Sequence, residues 1–204
     1  MAGAGLFVWV VKLLLVRHGV GRASRPERGY VGLLARRLRE HTGNDVQVIN
    51  LSRSGAPLGD LLSDQLPRVQ ALQPDLVTVG IGGNDLLAYD PATYAEQVET
   101  LTRAPPRGAV VADAPCFMQG YWEHDATRAA ELMARSAGPH GLVVVPLHDA
   151  LRREGWSAMA TQFTADFFHP DDRGHRVWAD AFGAGVAAAP VAQTSHRARH
   201  EPVA

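Results

Sequence analysis

Asp166-Phe167-Phe168-His169 sets a carboxylate three residues ahead of an imidazole. At that spacing the carboxylate can hold one ring nitrogen and leave the other free as a base. Two further polar clusters each follow an apolar run: Ser52-Arg53-Ser54-Gly55 after VQVINL, and Gly82-Gly83-Asn84-Asp85 after DLVTVGI. Gly55 offers an unobstructed backbone N–H, and Asn84 a side-chain amide, to a developing oxyanion. Taken singly these are weak signals. Gly-Gly-Asn-Asp is an ordinary turn or helix cap, and Asp-x-x-His an ordinary surface helix start. Their joint placement, each after an apolar strand or just before the last helix, is what points to acyl-transfer chemistry. A fourth stretch, KLLLVRHG, ends a strand-like run in Arg17-His18, a cation and a nucleophilic imidazole side by side.

These residues need elements to position them, and the chain supplies a regular alternation. Apolar runs at 7–16, 46–51, 75–81, 108–113 and 142–147 are rich in Val, Ile and Leu without polar alternation. That pattern predicts strands buried on both faces. Between them lie helical patterns. GYVGLLARRLREH carries Val31, Leu34 and Leu38 on one stripe with arginines opposite. LGDLLSDQLPRVQAL contains Pro67, which predicts a kink or break. DPATYAEQVETLTRA opens with Asp90 as N-cap and Pro91 at the first helical position. HDATRAAELMARSAG and HPDDRGHRVWADAFGAGVAAA complete the set. The alternation predicts one three-layer α/β/α domain, residues 1–187, on a parallel five-stranded sheet. Residues 188–204 read as a disordered polar tail. In such a sheet, ligands bind at the carboxyl ends of the strands, where the three clusters fall.

Composition narrows the function classes. The 204 residues suffice for a substantial single core. With 20 Lys and Arg against 21 Asp and Glu, no charge excess draws the chain to nucleic acid or an anionic membrane. The lone Cys116 excludes a disulfide framework and a thiolate cluster, and reads as a small core residue. The apolar start, MAGAGLFVWVVKLLLV, is interrupted by Lys12 and too short to span a bilayer, so it reads as a buried first strand. The expectation is a cytoplasmic protein.

The three clusters together resemble the blocks of the SGNH hydrolase family, also called GDSL-type esterases and lipases. NLSRSGAPLGDLL resembles the second block, DLVTVGIGGNDLL the third and DFFHPDDRGHRVWADAF the fifth, over roughly residues 19–185. The resemblance implies a flavodoxin-like fold, hydrolysis of a small-molecule acyl ester without metal or organic cofactor, and four roles. His169 would be the general base, Asp166 its orienting acid, and Gly55 and Asn84 the oxyanion donors. Arg22, Arg53, Tyr121 and Trp122 are candidates for shaping the substrate pocket, or simply loop surface.

The departure lies in the first block. Family members open with Gly-Asp-Ser-x-x-x-Gly, whose serine is the nucleophile. Aligning Gly19 and Gly21 with the trailing glycines puts Leu13, Leu14 and Leu15 at Gly-Asp-Ser. Leu15 has no nucleophilic atom. Ser24, Ser52 and Ser54 are the nearby hydroxyls, though loop serines mostly cap helices or bond backbone. Three readings of the gap stand: a substitute serine, a shifted reading frame or start site, and a catalytically dead domain that binds a ligand in the old pocket. KLLLVRHG separately resembles the start of histidine phosphatases, with His18 as nucleophile, Arg17 on phosphate and His175 as the second histidine. That likeness covers eight residues only.

Overall fold

The computed structural model describes residues 5–11, 26–43, 45–53, 55–118, 120–153 and 155–189. Five parallel strands, β1 (Gly5–Val11), β2 (Val46–Asn50), β3 (Leu76–Gly80), β4 (Val110–Ala112) and β5 (Val143–Val145), form one sheet in the order β2-β1-β3-β4-β5. Val8 in β1 pairs with Ile49 of β2 on one side and Val77 of β3 on the other. The strand order reverses beside β1, which makes the crevice between β1 and β3 the expected ligand site of a doubly wound sheet.

Successive residues of a strand point to opposite faces, and the burial follows that rule. Val77, Val79 and Val111 join one core, while Val46, Val110, Ala112 and Val145 join the other. The first core is closed by α2 (Leu58–Asp60), α3 (Leu66–Leu72), α4 (Pro91–Arg103) and α5 (Gly120–Ala137). The second is closed by α1 (Tyr30–Thr42), α6 (Leu147–Arg152) and α8 (Asp172–Ala188). A short α7 (Ser157–Gln162) leads to the Asp166–His169 segment. The three-layer α/β/α expectation holds. Among the described residues no helix is long and apolar enough to cross a membrane.

Local details refine the sequence reading. Asp90 caps α4 by accepting from Thr93 N–H at 2.7 Å, with Pro91 opening the helix as predicted. The predicted kink at Pro67 takes the form of a π-helical turn, Leu61–Gln65, running directly into α3. A wide turn tolerates a residue that has no N–H to donate. On α1 the fully buried stripe is Tyr30-Leu34-Leu38, and Val31 sits half-buried beside it. β4 and β5 are shorter than their apolar runs. Pro146, lacking an N–H, follows Val145 and ends β5.

The start of α8 lies hard against the end of α7. Asp171 caps it, accepting from Arg173 and Gly174 N–H at 2.8 Å each. A Cβ at Gly174 would stand 2.1 Å from the Gln162 carbonyl oxygen and 2.8 Å from Pro170 Cβ. Backbone cannot yield there as a flexible side chain would. Gly174→Ala is therefore expected to cost about 1–3 kcal/mol of stability, read as a lower urea midpoint. A midpoint equal to wild type contradicts this packing.

Candidate functional site

The loop from Thr164 to His169 is built around one carboxylate. Asp166 Oδ1 accepts from Thr164 Oγ1 at 2.6 Å and from the N–H groups of Phe168 and His169 at 3.0 Å each. Asp166 Oδ2 pairs with His169 Nδ1. The loop is closed at its base by Thr164 N–H donating to His169 C=O at 2.8 Å, and Phe167 turns it with a left-handed φ of 54°. Non-glycine residues pay for that conformation, so the carboxylate bonds hold a turn the backbone alone disfavours. Partial burial pushes the Asp166 carboxyl up, but the hydrogen bonds from Thr164, His169 and Phe168 outweigh it and hold the group well below the usual range.

His169 is 6% exposed, and its Nε2 is buried without a hydrogen-bond partner among the described residues. Asp166 thus holds Nδ1 and leaves Nε2 open, the arrangement a general base requires. The sequence-predicted pair is brought together as expected.

The second pair is brought together from different strands. Gly55 follows β2 with φ +74°, and a Cβ on it would lie 3.9 Å from Asn84 Nδ2. Asn84 follows β3 and Gly82-Gly83. Gly82, at φ +102°, could carry no side chain, because its Cβ would meet Tyr94 Oη at 2.7 Å. A residue not assigned a role from sequence links the two strand exits. Asp85 accepts from Leu58 N–H at 3.0 and 3.2 Å, capping α2 from the neighbouring loop. An acidic residue directly after Asn84 was the available signal, but nothing in one sequence names its long-range partner.

An aromatic wall runs between the two pairs. Phe117, on the loop after β4, stacks on Phe168 with centroids 4.7 Å apart and planes 4° apart. Phe168 meets the His169 ring edge-on at 5.1 Å, and Trp122 closes on Phe168 at 5.9 Å. Phe117 also reaches the Gly83 backbone, where a Cβ would be 3.6 Å away. Trp122 is therefore wall rather than loop surface, placed by the first turn of α5. Tyr121 is 87% exposed, and Arg53 is engaged by Asp60 at 2.5 Å.

The other sequence candidates divide sharply. Leu15, Arg17, His18, Arg22, Ser24 and Ser54 lie outside the described residues. Ser52 is half-buried, with its N–H donating to Asn50 Oδ1 at 2.9 Å. His175 is a core residue: 2% exposed, stacked on Tyr30 at 6.2 Å, and pushed by burial down to about 4. It is neutral at pH 7. Burial, then the facing Glu123 carboxylate, push the Cys116 thiol up to about 12, so it is no thiolate nucleophile as it stands.

Comparison with known proteins identifies the family and the fold. The model of the GDSL-like lipase/acylhydrolase family matches residues 17–177. The chain belongs to that family, a group of enzymes that hydrolyse ester bonds. Similar solved structures share its fold. LAE5, described as an alpha/beta hydrolase enzyme from the metagenome of Lake Arreo, is 22% identical with a TM-score of 0.73, covering 92% of this chain and 97% of its own. An acetyl xylan esterase of Geobacillus stearothermophilus is 19% identical at TM-score 0.70, covering 93% and 98%. A GDSL-like lipase of Parabacteroides merdae, described as putative, is 17% identical at 0.74, covering 92% and 97%. No curated protein matches the sequence.

The depressed Asp166 carboxyl has a consequence for stability. A group whose folded value lies below its unfolded one stabilises the fold above the unfolded value, about 3.9 for aspartate, and loses that contribution as pH falls below it. From about pH 5 to about pH 3 the wild-type urea midpoint should fall more steeply than that of Asp166→Asn. Parallel curves contradict the hydrogen-bonded carboxylate.

Proposed function

We propose that this chain carries an acyl-ester hydrolysis site in which His169 is the general base, Asp166 its orienting carboxylate, and the Gly55 N–H and Asn84 amide the oxyanion donors. The observation that carries the reading is the unpartnered, buried Nε2 of a histidine whose Nδ1 is held by Asp166. The approach of Gly55 to Asn84 supports it, as does family membership.

The chemistry follows from what each group can do. A hydroxyl placed at His169 Nε2 gives up its proton to the ring as its oxygen attacks the ester carbonyl. The carbonyl oxygen gains negative charge as the tetrahedral intermediate forms, and the Gly55 and Asn84 donors bind that charge more strongly than the neutral carbonyl. The imidazolium, steadied by Asp166, returns its proton to the departing alcohol. Water then repeats the sequence on the acyl intermediate and releases the acid. The substrate is a small-molecule acyl ester, and the Phe117-Phe168-Trp122 wall offers its apolar part a rigid surface.

The hydroxyl itself is the missing part. Leu15 occupies the place that the family's serine takes in the alignment, and a leucine cannot attack a carbonyl. If base, acid and oxyanion donors are otherwise complete, supplying the family's first block should restore turnover. The combined variant Leu13→Gly, Leu14→Asp, Leu15→Ser is expected to hydrolyse p-nitrophenyl acetate at least about a hundredfold faster than wild type. The gain should vanish when His169→Ala is added. No gain from a folded variant, or a gain indifferent to His169→Ala, contradicts the assignment.

A further inference from the structure

A second cluster of chemistry-bearing side chains lies next to the aromatic wall in sequence, where the loop after β4 meets the N-terminal turns of α5 and α6. Cys116 is fully buried, His148 is 5% exposed, and the Glu123 side chain is 20% exposed. Cys116 Sγ stands 3.4 Å from both Glu123 oxygens, and His148 Nε2 stands 3.1 Å from Glu123 Oε1. One ligand atom from each residue falls within 4.8 Å of the other two. The proposed esterase chemistry uses none of the three.

We propose that Cys116, Glu123 and His148 form a binding site for a zinc-class divalent cation, one that clamps the loop after β4 to α5 and α6. The donor set is a thiolate, a carboxylate and an imidazole, the types that zinc selects. Zinc bonds of about 2.0–2.3 Å in tetrahedral geometry set ligand atoms about 3.2–3.6 Å apart. The sulfur–oxygen separation here falls in that range and the nitrogen–oxygen separation just below it. One cysteine makes no thiolate cluster, so composition alone pointed away from metal; the fold adds the two harder ligands.

The supporting contacts are those of a preformed site. Glu123 Oε2 accepts from the N–H groups of Phe117 and Met118 at 3.3 and 3.1 Å, which leaves Oε1 for the cation. His148 is held by its own backbone N–H donating to Asp113 Oδ1 at 2.8 Å, and Asp149 Oδ1 lies 3.9 Å from Nδ1. The Asp113 bond fixes the backbone at His148, and a small shift of the exposed Asp149 side chain would bring it onto Nδ1, the kind of partner that orients a ligating histidine. Thr127 Oγ1, 3.5 Å from His148 Nε2, flanks the position. Arg152 Nη1, 3.9 Å from Glu123 Oε1, belongs to a side chain 59% exposed, free to swing outward when a cation takes its place. Binding exchanges the Cys116 S–H bond for an S–metal bond, and the proton leaves to buffer.

Cobalt and zinc titrations of the full chain test this. Wild type, stripped with chelator, should bind one equivalent of zinc with a rise in Tm, and with cobalt should show a near-ultraviolet thiolate-to-metal band. Cys116→Ser, nearly isosteric, should lose the band, and His148→Gln should bind at least about tenfold more weakly, both remaining folded by circular dichroism. The chain has nine histidines, so weak capture elsewhere is the competing outcome. Zinc binding unchanged in Cys116→Ser, or a wild type that is folded yet shows no cobalt–thiolate band, overturns the proposal.

Discussion

The Asp166 carboxylate is the point on which the candidate site turns. One oxygen gathers three donors from its own loop and the other holds His169 Nδ1. Remove those bonds and Phe167 has no reason to stay at a positive φ, nor His169 to present Nε2 rather than Nδ1. A carboxylate that accepts several hydrogen bonds stays ionised, and an ionised partner is what stabilises an imidazolium when the ring takes a proton. Loop geometry and the proposed base chemistry thus rest on the same group.

The remainder of the fold delivers other parts to that loop. The parallel sheet brings the exits of β2 and β3 to one edge, and Asp85 ties them by capping α2 across the gap. Gly82 permits the close passage beside Tyr94 that sets Asn84 near Gly55. Phe117 carries the connection onward from Gly83 to Phe168 and so to the histidine. The site is assembled from four separate loops, each short and each anchored by a buried polar or aromatic contact. Rigid placement of this kind is what electrostatic stabilisation of an oxyanion demands.

Much of this was legible in the sequence where the signal is local. Uniform Val/Ile/Leu runs marked the strands, Asp90-Pro91 marked a helix start, and Asp-x-x-His marked a pair that the loop indeed closes. What escaped were partnerships across long separations. Asp85 with Leu58, and Phe117 with Phe168, join residues whose proximity depends on the completed sheet. Trp122 looked like loop surface because its burial comes from Phe117 and Phe168 rather than from its own helix. The π-turn before α3 shows the opposite limit: Pro67 announced an irregularity, but not its form.

The central claim is the proposal that His169, turned by Asp166, can activate a hydroxyl once one is supplied at position 15. Covalent labelling tests it most directly. The variant Leu13→Gly, Leu14→Asp, Leu15→Ser, incubated with diethyl p-nitrophenyl phosphate, should release one p-nitrophenolate per chain and carry one diethylphosphoryl group. Peptide mass spectrometry should place that group at residue 15, and adding His169→Ala should abolish it. An unlabelled variant that is folded, or a label that persists without His169, contradicts the account.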